Sequence, residues 1–107
     1  MNRAKTLGFI GILNRGRKTL IGSAALEGLA KGRFAFLAKD ASENTRKEAR
    51  SALRKHPLPL NEEFSKAELG NAIGYESVSF LVVTDAHAAK KLVKEQEEPY
   101  EETAVQR

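Results

Sequence analysis

The chain contains no cysteine. That excludes disulfides, thiol nucleophiles and cysteine-ligated zinc in one step. It has two histidines, His56 and His87. Neither has an acidic partner at a spacing that builds a catalytic pair, and two distant histidines do not make a metal site. No Gly-Lys-Ser/Thr phosphate loop is present, and fragments such as Gly8-Phe9-Ile10-Gly11 occur at chance level. No apolar run approaches the ~20 residues that cross a bilayer. Acidic side chains are scarce in one half only. Residues 1–56 hold 13 Lys/Arg against 4 Asp/Glu, whereas residues 57–107 hold 5 against 10. A first half this poor in carboxylates suggests a surface that faces a polyanion, with a solvated face whose charge aids solubility as the equal alternative from charge alone. These absences argue against an enzyme and against a metal or cofactor, and a cysteine-free chain fits a reducing cytoplasm.

What is present suits one domain. The 107 residues are 41% hydrophobic and 30% charged, ordinary values for a globular protein. Arg3 and Lys5 followed by Leu7 to Leu13 resemble a short signal-peptide core. A small-residue cleavage site is missing, however, and Arg15, Arg17 and Lys18 follow directly. The segment therefore reads as an amino-terminal helix over residues 3–14, with Leu7, Ile10 and either Ile12 or Leu13 buried.

A basic turn, Arg15-Gly16-Arg17-Lys18, leads to a short strand at residues 19–21. Ser23 is a favourable cap for a helix over 24–31 that ends at Gly32. Residues 34–38 (Phe-Ala-Phe-Leu-Ala) are apolar without alternation, which predicts a strand buried on both faces. Asp40 followed by Glu43 forms a capping-box pattern and predicts a helix over 41–56 with Asp40 as its cap. In that helix Ala49, Ala52, Leu53 and His56 share the core side. Arg46, Arg50 and Arg54 form a stripe away from it, read as a solvated face. Pro57 and Pro59 keep residues 58–60 extended, as a strand at or near an edge. Ser65-Lys66-Ala67-Glu68 is a second capping box, opening a helix that Gly74 ends. Residues 78–84 form a strong strand, and Asp85 caps a last helix carrying Ala88, Ala89, Leu92 and Val93. From Glu95 onward the composition turns acidic, so residues 1–94 are expected to form one domain and 95–107 an acidic, disordered tail. Alternating helices and strands predict an α/β fold with helices on both faces of a central sheet.

Four segments resemble the superfamily of ribosomal proteins L-seven-Ae and L-thirty-e, and in particular its bacterial YlxQ-like and YbxF-like branch. They are Ile10-Gly11-Ile12-Leu13-Asn14-Arg15 with Leu20-Ile21-Gly22; Leu37 to Lys47; Ser65 to Gly74; and Thr84-Asp85 with Ala88-Ala89-Lys90-Lys91-Leu92. The resemblance implies a three-layer α/β/α sandwich with a mixed four-stranded sheet. It also implies a monomeric, cytoplasmic, non-catalytic protein that binds structured RNA, kink-turns or ribosomal RNA included. Its implied contacts are Gly22-Ser23, Lys39-Asp40 with Asn44, and the loop before the last strand. In that loop Tyr75 is expected either to stack on a base or to pack on its own domain, with Glu76 and Ser77 beside it. Arg15, Arg17, Lys18 and Lys47 are the cations expected nearby. One departure stands out. Gly22 is followed by Ser23-Ala24-Ala25 where RNA-binding members carry a polar or acidic pair, so the side chains that read sheared G·A pairs are missing. Some members of the superfamily are protein-interaction modules, which makes an adaptor the alternative expectation.

Overall fold

Two four-residue strands, every residue of both buried, form the centre of the sheet. The computed structural model describes residues 2–97. In chain order the elements are α1 (Arg3–Arg15), β1 (Thr19–Ile21), α2 (Ser23–Glu27), a 3-10 turn (Leu29–Lys31), β2 (Phe34–Leu37) and α3 (Glu43–Lys55). There follow β3 (Leu60–Asn61), α4 (Lys66–Ile73), β4 (Phe80–Val83) and α5 (Ala86–Glu97). The strands lie in the order β1-β4-β2-β3. β4 runs antiparallel to β1 and β2, and β2 runs parallel to β3, so the sheet is mixed as expected.

The pleat sends alternate side chains to the two helical layers. Phe34 and Phe36 face a crevice bounded by Arg3 and Thr6 of α1 and Leu92 of α5. Phe36 also meets the Phe64 ring, centroid to centroid at 6.2 Å. Ala35 points the other way, in register with Val82, and Val82 is in register with Leu20 of β1. That face receives α2 and the 3-10 turn. A Cβ at Gly28 would lie 2.7 Å from Leu20 Cδ1, and one at Gly32 would lie 2.5 Å from Val82 Cγ1. α3 lies beside α2, with Ala52 across a cleft from Leu26 and Leu29. The result is the three-layer sandwich.

Several boundaries differ from the sequence reading, each for a local reason. The helix expected over 24–31 divides at Gly28, where the chain presses on Leu20 and continues as a 3-10 turn. Gly22, with φ at +63°, precedes that helix and Ser23 is its first residue, so Ser23 does not act as a side-chain cap. β3 begins at Leu60 rather than 58. Pro59 still joins the ladder through its carbonyl, which accepts from the Ala35 N–H at 2.9 Å. α3 begins at Glu43 and is capped by Ser42, whose hydroxyl accepts from the Thr45 N–H. Asp40 does not cap α3. A tight turn closed by Ala41 N–H to Ala38 carbonyl carries Asp40 sideways, and its Oδ1 accepts from the Lys66 N–H at 2.8 Å, in the first turn of α4. His56, expected on the core side, is exposed at the end of α3. In α1 it is Leu13 that is buried, and Ile12 is 57% exposed. α5 runs to Glu97, three residues beyond the expected domain boundary, and the remainder of the expected tail lies outside the described residues.

The second capping box forms as read. Ser65 Oγ accepts from the Glu68 N–H at 3.1 Å, and Glu68 Oε1 accepts from the Ser65 N–H at 2.9 Å. Arg3 joins it, 3.0 Å from Glu68 Oε1, with its guanidinium 4.8 Å above the Phe64 ring. The Ser65 amide and then the Arg3 charge hold the Glu68 carboxyl below the usual carboxylate range. A depressed folded-state value means that the charge stabilises the fold at neutral pH, and that this contribution is lost as pH falls through the folded value. Thermal melts of the wild type and Glu68→Gln should therefore differ at pH 7 and converge in acid. A gap that stays constant down through the carboxylate range would contradict the assignment.

Candidate nucleic-acid interface

Three segments distant in sequence meet at one end of the sheet. β1 leaves the sheet there through Gly22, whose N–H donates to the Phe80 carbonyl at 2.9 Å. β2 leaves through Ala38 and Lys39, whose N–H groups donate to the carbonyls of Ser79 and Phe64, both at 2.8 Å. The chain enters β4 there through the loop that follows Gly74, a left-handed helix stop with φ at +83°. That loop runs back along α4. The Tyr75 N–H donates to Gly70 O at 2.8 Å and the Val78 N–H to Lys66 O at 3.0 Å. Gly70 permits this approach, since a Cβ there would lie 2.7 Å from Ser77 Cα.

This end collects Gly22, Ser23, Lys39, Asp40, Asn44, Tyr75, Glu76 and Ser77. All are exposed except Gly22, which is half-buried. Tyr75 is 52% exposed, and among the described residues it and Ile12 are the large hydrophobic side chains left open to solvent. Lys47 lies one turn along α3 from Asn44 and lines the cleft between α3 and α2. α2 has only five residues, so it adds little macrodipole. What its start offers is a first turn that no side chain caps. Ala24 is exposed but Ala25 is fully buried, so only the first of the two alanines can face a ligand.

Asp40 is already engaged with α4, and its part at this end is to fix the junction. Arg46 has the same effect. Helical periodicity sends it away from the core, yet its guanidinium reaches the Lys39 carbonyl and also bonds Glu62 Oε1 at 3.3 Å, which Arg50 bonds at 2.9 Å. Two members of the arginine stripe are thus tied to the segment after β3.

The basic turn does not join this group. The Thr84 N–H donates to the Lys18 carbonyl at 2.9 Å, and Lys18 Nζ lies 3.8 Å from Asp85, both at the opposite end of β1 and β4. The three residues of β1 separate Lys18 from Gly22, four rises or about 13 Å at the usual spacing. Arg17 sits in this turn at φ +59°, the one left-handed non-glycine among the described residues. The Lys18 N–H to Leu13 O and Arg17 N–H to Asn14 O bonds make it the closing residue of α1, where glycine is usual. Arg15 takes a third course. Its Nη1 comes within 3.9 Å of a Cβ built on Gly11, beside the contact of α1 with Ala72 of α4. The single cluster expected from sequence is therefore two groups at opposite sheet ends, with Arg15 on the α1–α4 flank. Sequence reasoning also passed over Arg33, Lys90 and Lys94, which share one groove at the far end. The four-residue spacing of Lys90 and Lys94 on the last helix was the available signal.

A mixed four-stranded sheet between two helical layers, with two helix starts and a glycine-seated loop at one end, defines the small α/β/α class to which the sequence resemblance pointed. No protein-family model matches the chain. The chain is 34% identical over 92 residues to RNA-binding protein YlxQ of Enterococcus faecium, covering 83% of this chain and 89% of that protein. It is 32% identical over 87 residues to RNA-binding protein YlxQ of Bacillus subtilis strain 168, covering 78% and 87%. Among solved structures it matches a protein of unknown function from Bacillus halodurans with a TM-score of 0.74 and 26% identity, over 86% of this chain and 96% of that one. The chain belongs to the YlxQ family.

Proposed function

We propose that the protein is a non-catalytic, cytoplasmic RNA-binding protein that holds structured RNA, kink-turn-like or ribosomal, at the sheet end built by Gly22-Ser23, Lys39 to Asn44 and Tyr75 to Ser77. The observation that carries this reading is the convergence of those three exposed segments in a chain whose relatives are named RNA-binding proteins. Each offers a different kind of contact. The start of α2 presents backbone amides, Lys39 and Lys47 present charge for phosphates, and Tyr75 presents a ring for an unstacked base. Asn44 adds a side-chain amide at the start of α3.

Specificity should be modest. Ala24 and Ala25 supply no hydrogen-bonding side chains, and Ala25 is buried. A mobility-shift titration with a kink-turn and a plain duplex should show binding that weakens steeply with salt and a preference below ~100-fold, or ~2.7 kcal/mol. A larger preference would mean that amides and the Tyr75 loop suffice to read a kink-turn. Binding to neither RNA would overturn the function itself.

A further inference from the structure

The far end of the sheet is as cationic as the near end, and nothing in the near-end reading uses it. Three chain segments converge there around Val83 to Asp85. Lys18 accepts from Thr84 through its carbonyl, the Arg33 N–H donates to the Val83 carbonyl at 2.7 Å, and α5 starts at Ala86. Beside them lies a groove of about 440 Å³, lined by Arg33, Ala86, Ala89, Lys90, Val93 and Lys94. Its lining holds three cations and no carboxylate. Among the described residues, none of the three cations forms an ion pair. α5 divides its polar groups by side. Glu95 and Gln96 line the opposite crevice with α1, and Lys91 lies over the Phe9 ring at 5.9 Å. Lys90 and Lys94 share the groove with Arg33. Arg17 is exposed in the neighbouring turn, and Asp85, at the same end of the sheet, is paired with Lys18.

We propose that Arg33, Lys90 and Lys94 form a second RNA-backbone contact surface, so that the domain holds two stretches of phosphate backbone, one at each end of its sheet. The proposal rests on the RNA-binding reading above and extends it to a site of different chemistry. The near end combines amides, an asparagine and an aromatic ring, which can distinguish nucleotides. The far groove offers cations above a floor of alanine and valine, which suits phosphates without reading bases. Small side chains on that floor leave the three cations free to converge on one backbone segment. RNA fits this surface better than an acidic peptide, because the cations are spread along a strand start and two helical turns rather than gathered in a pocket for one carboxylate.

The test compares two RNAs, a short stem-loop and the same stem-loop placed between flanking duplexes. Salt titrations are run on the wild type, on Arg33→Gln/Lys90→Gln/Lys94→Gln and on Lys39→Gln/Lys47→Gln. For the longer RNA, the triple variant should bind more weakly and its log–log salt slope should flatten by about 2 to 3, at roughly 0.7–0.9 for each phosphate no longer neutralised. Its affinity for the short stem-loop should be unchanged. The Lys39/Lys47 variant should weaken on both RNAs. An unchanged slope and affinity of the triple variant on the longer RNA would overturn the second surface while leaving the near-end site standing, and would point to a protein partner for the groove. Failure of the wild type to bind either RNA would overturn both readings.

Discussion

Replacing Gly70 by alanine is expected to lower the stability of the domain by about 1–3 kcal/mol, whereas the same replacement at Gly8 should raise it by up to ~1 kcal/mol. Both residues lie inside helices, where alanine has the better propensity, so the sign is decided by what the new methyl meets. At Gly8 it meets nothing within 4 Å. At Gly70 it would stand 2.7 Å from Ser77 Cα, 2.8 Å from Ser77 N and 2.8 Å from the Tyr75 carbonyl oxygen. All three are backbone atoms and cannot swing aside as a side-chain terminus would. The segment from Tyr75 to Val78 is bonded to α4 at both ends, so relief requires breaking a hydrogen bond or moving the loop as a unit. Because that loop belongs to the proposed interface, Gly70→Ala should also weaken RNA binding in protein that remains folded. Paired thermal melts would show it. At roughly 4–8 °C per kcal/mol for a domain of this size, the two variants should move in opposite directions by an easily measured amount. Equal stability of Gly70→Ala and the wild type would mean that the loop does not rest on α4 as described.

The same contrast explains what could be read from the chain and what could not. Local chemistry was legible wherever a pattern closes on itself. The Ser65/Glu68 box, the Asp85 cap on Ala88 and the glycine stop after Ile73 all form as their spacing implies. The unalternated runs around Phe36 and Val82 became the two central strands, because burial on both faces needs no information from elsewhere in the chain. Readings went wrong where two signals of equal local merit competed, or where a partner lay far away in sequence. Asp40 and Ser42 are both good caps within two residues of each other. The choice was made by α4, which draws Asp40 across to Lys66, 26 positions on. Arg46 sits on a face that helical periodicity sends to solvent, yet Glu62 and the Lys39 carbonyl hold it at the junction. The placement of the basic turn was the larger loss. Arg15, Arg17 and Lys18 precede Gly22 by a few residues, and closeness in sequence suggested closeness in space. A single intervening strand, once paired with β4, puts Arg17 and Lys18 at the other end of the sheet. Charge composition pointed to a first half that faces a polyanion, but only the sheet register divides that charge into two surfaces.

Reversing the charge of both near-end lysines, Lys39→Glu with Lys47→Glu, should cost on the order of 100-fold in RNA affinity at moderate salt and flatten the log–log slope by about 1.4–1.8. The size of the effect follows from where the two side chains stand. Lys39 leaves β2 at the junction itself, its backbone held on both sides by Phe64 and Arg46, so its ammonium is presented from a fixed base. Lys47 follows one turn into α3 at the mouth of the cleft shared with α2. Both are exposed and neither lines the core, so the double variant should melt close to the wild type. That separates a binding defect from an unfolding one. A reversal also does more than remove two favourable interactions, since each new carboxylate repels a phosphate that the fold would otherwise bring near. The comparison that decides the matter is Arg46→Gln with Arg50→Gln, which removes positive charge from side chains already committed to Glu62. If binding depended on net charge alone, the two arginines would matter as much per charge as the two lysines. If it depends on the junction, as the convergence of Gly22, Lys39 and Tyr75 implies, Arg50 contributes little. Arg46 then acts only through the position of Lys39, so the arginine pair should lose affinity with almost no change in salt slope.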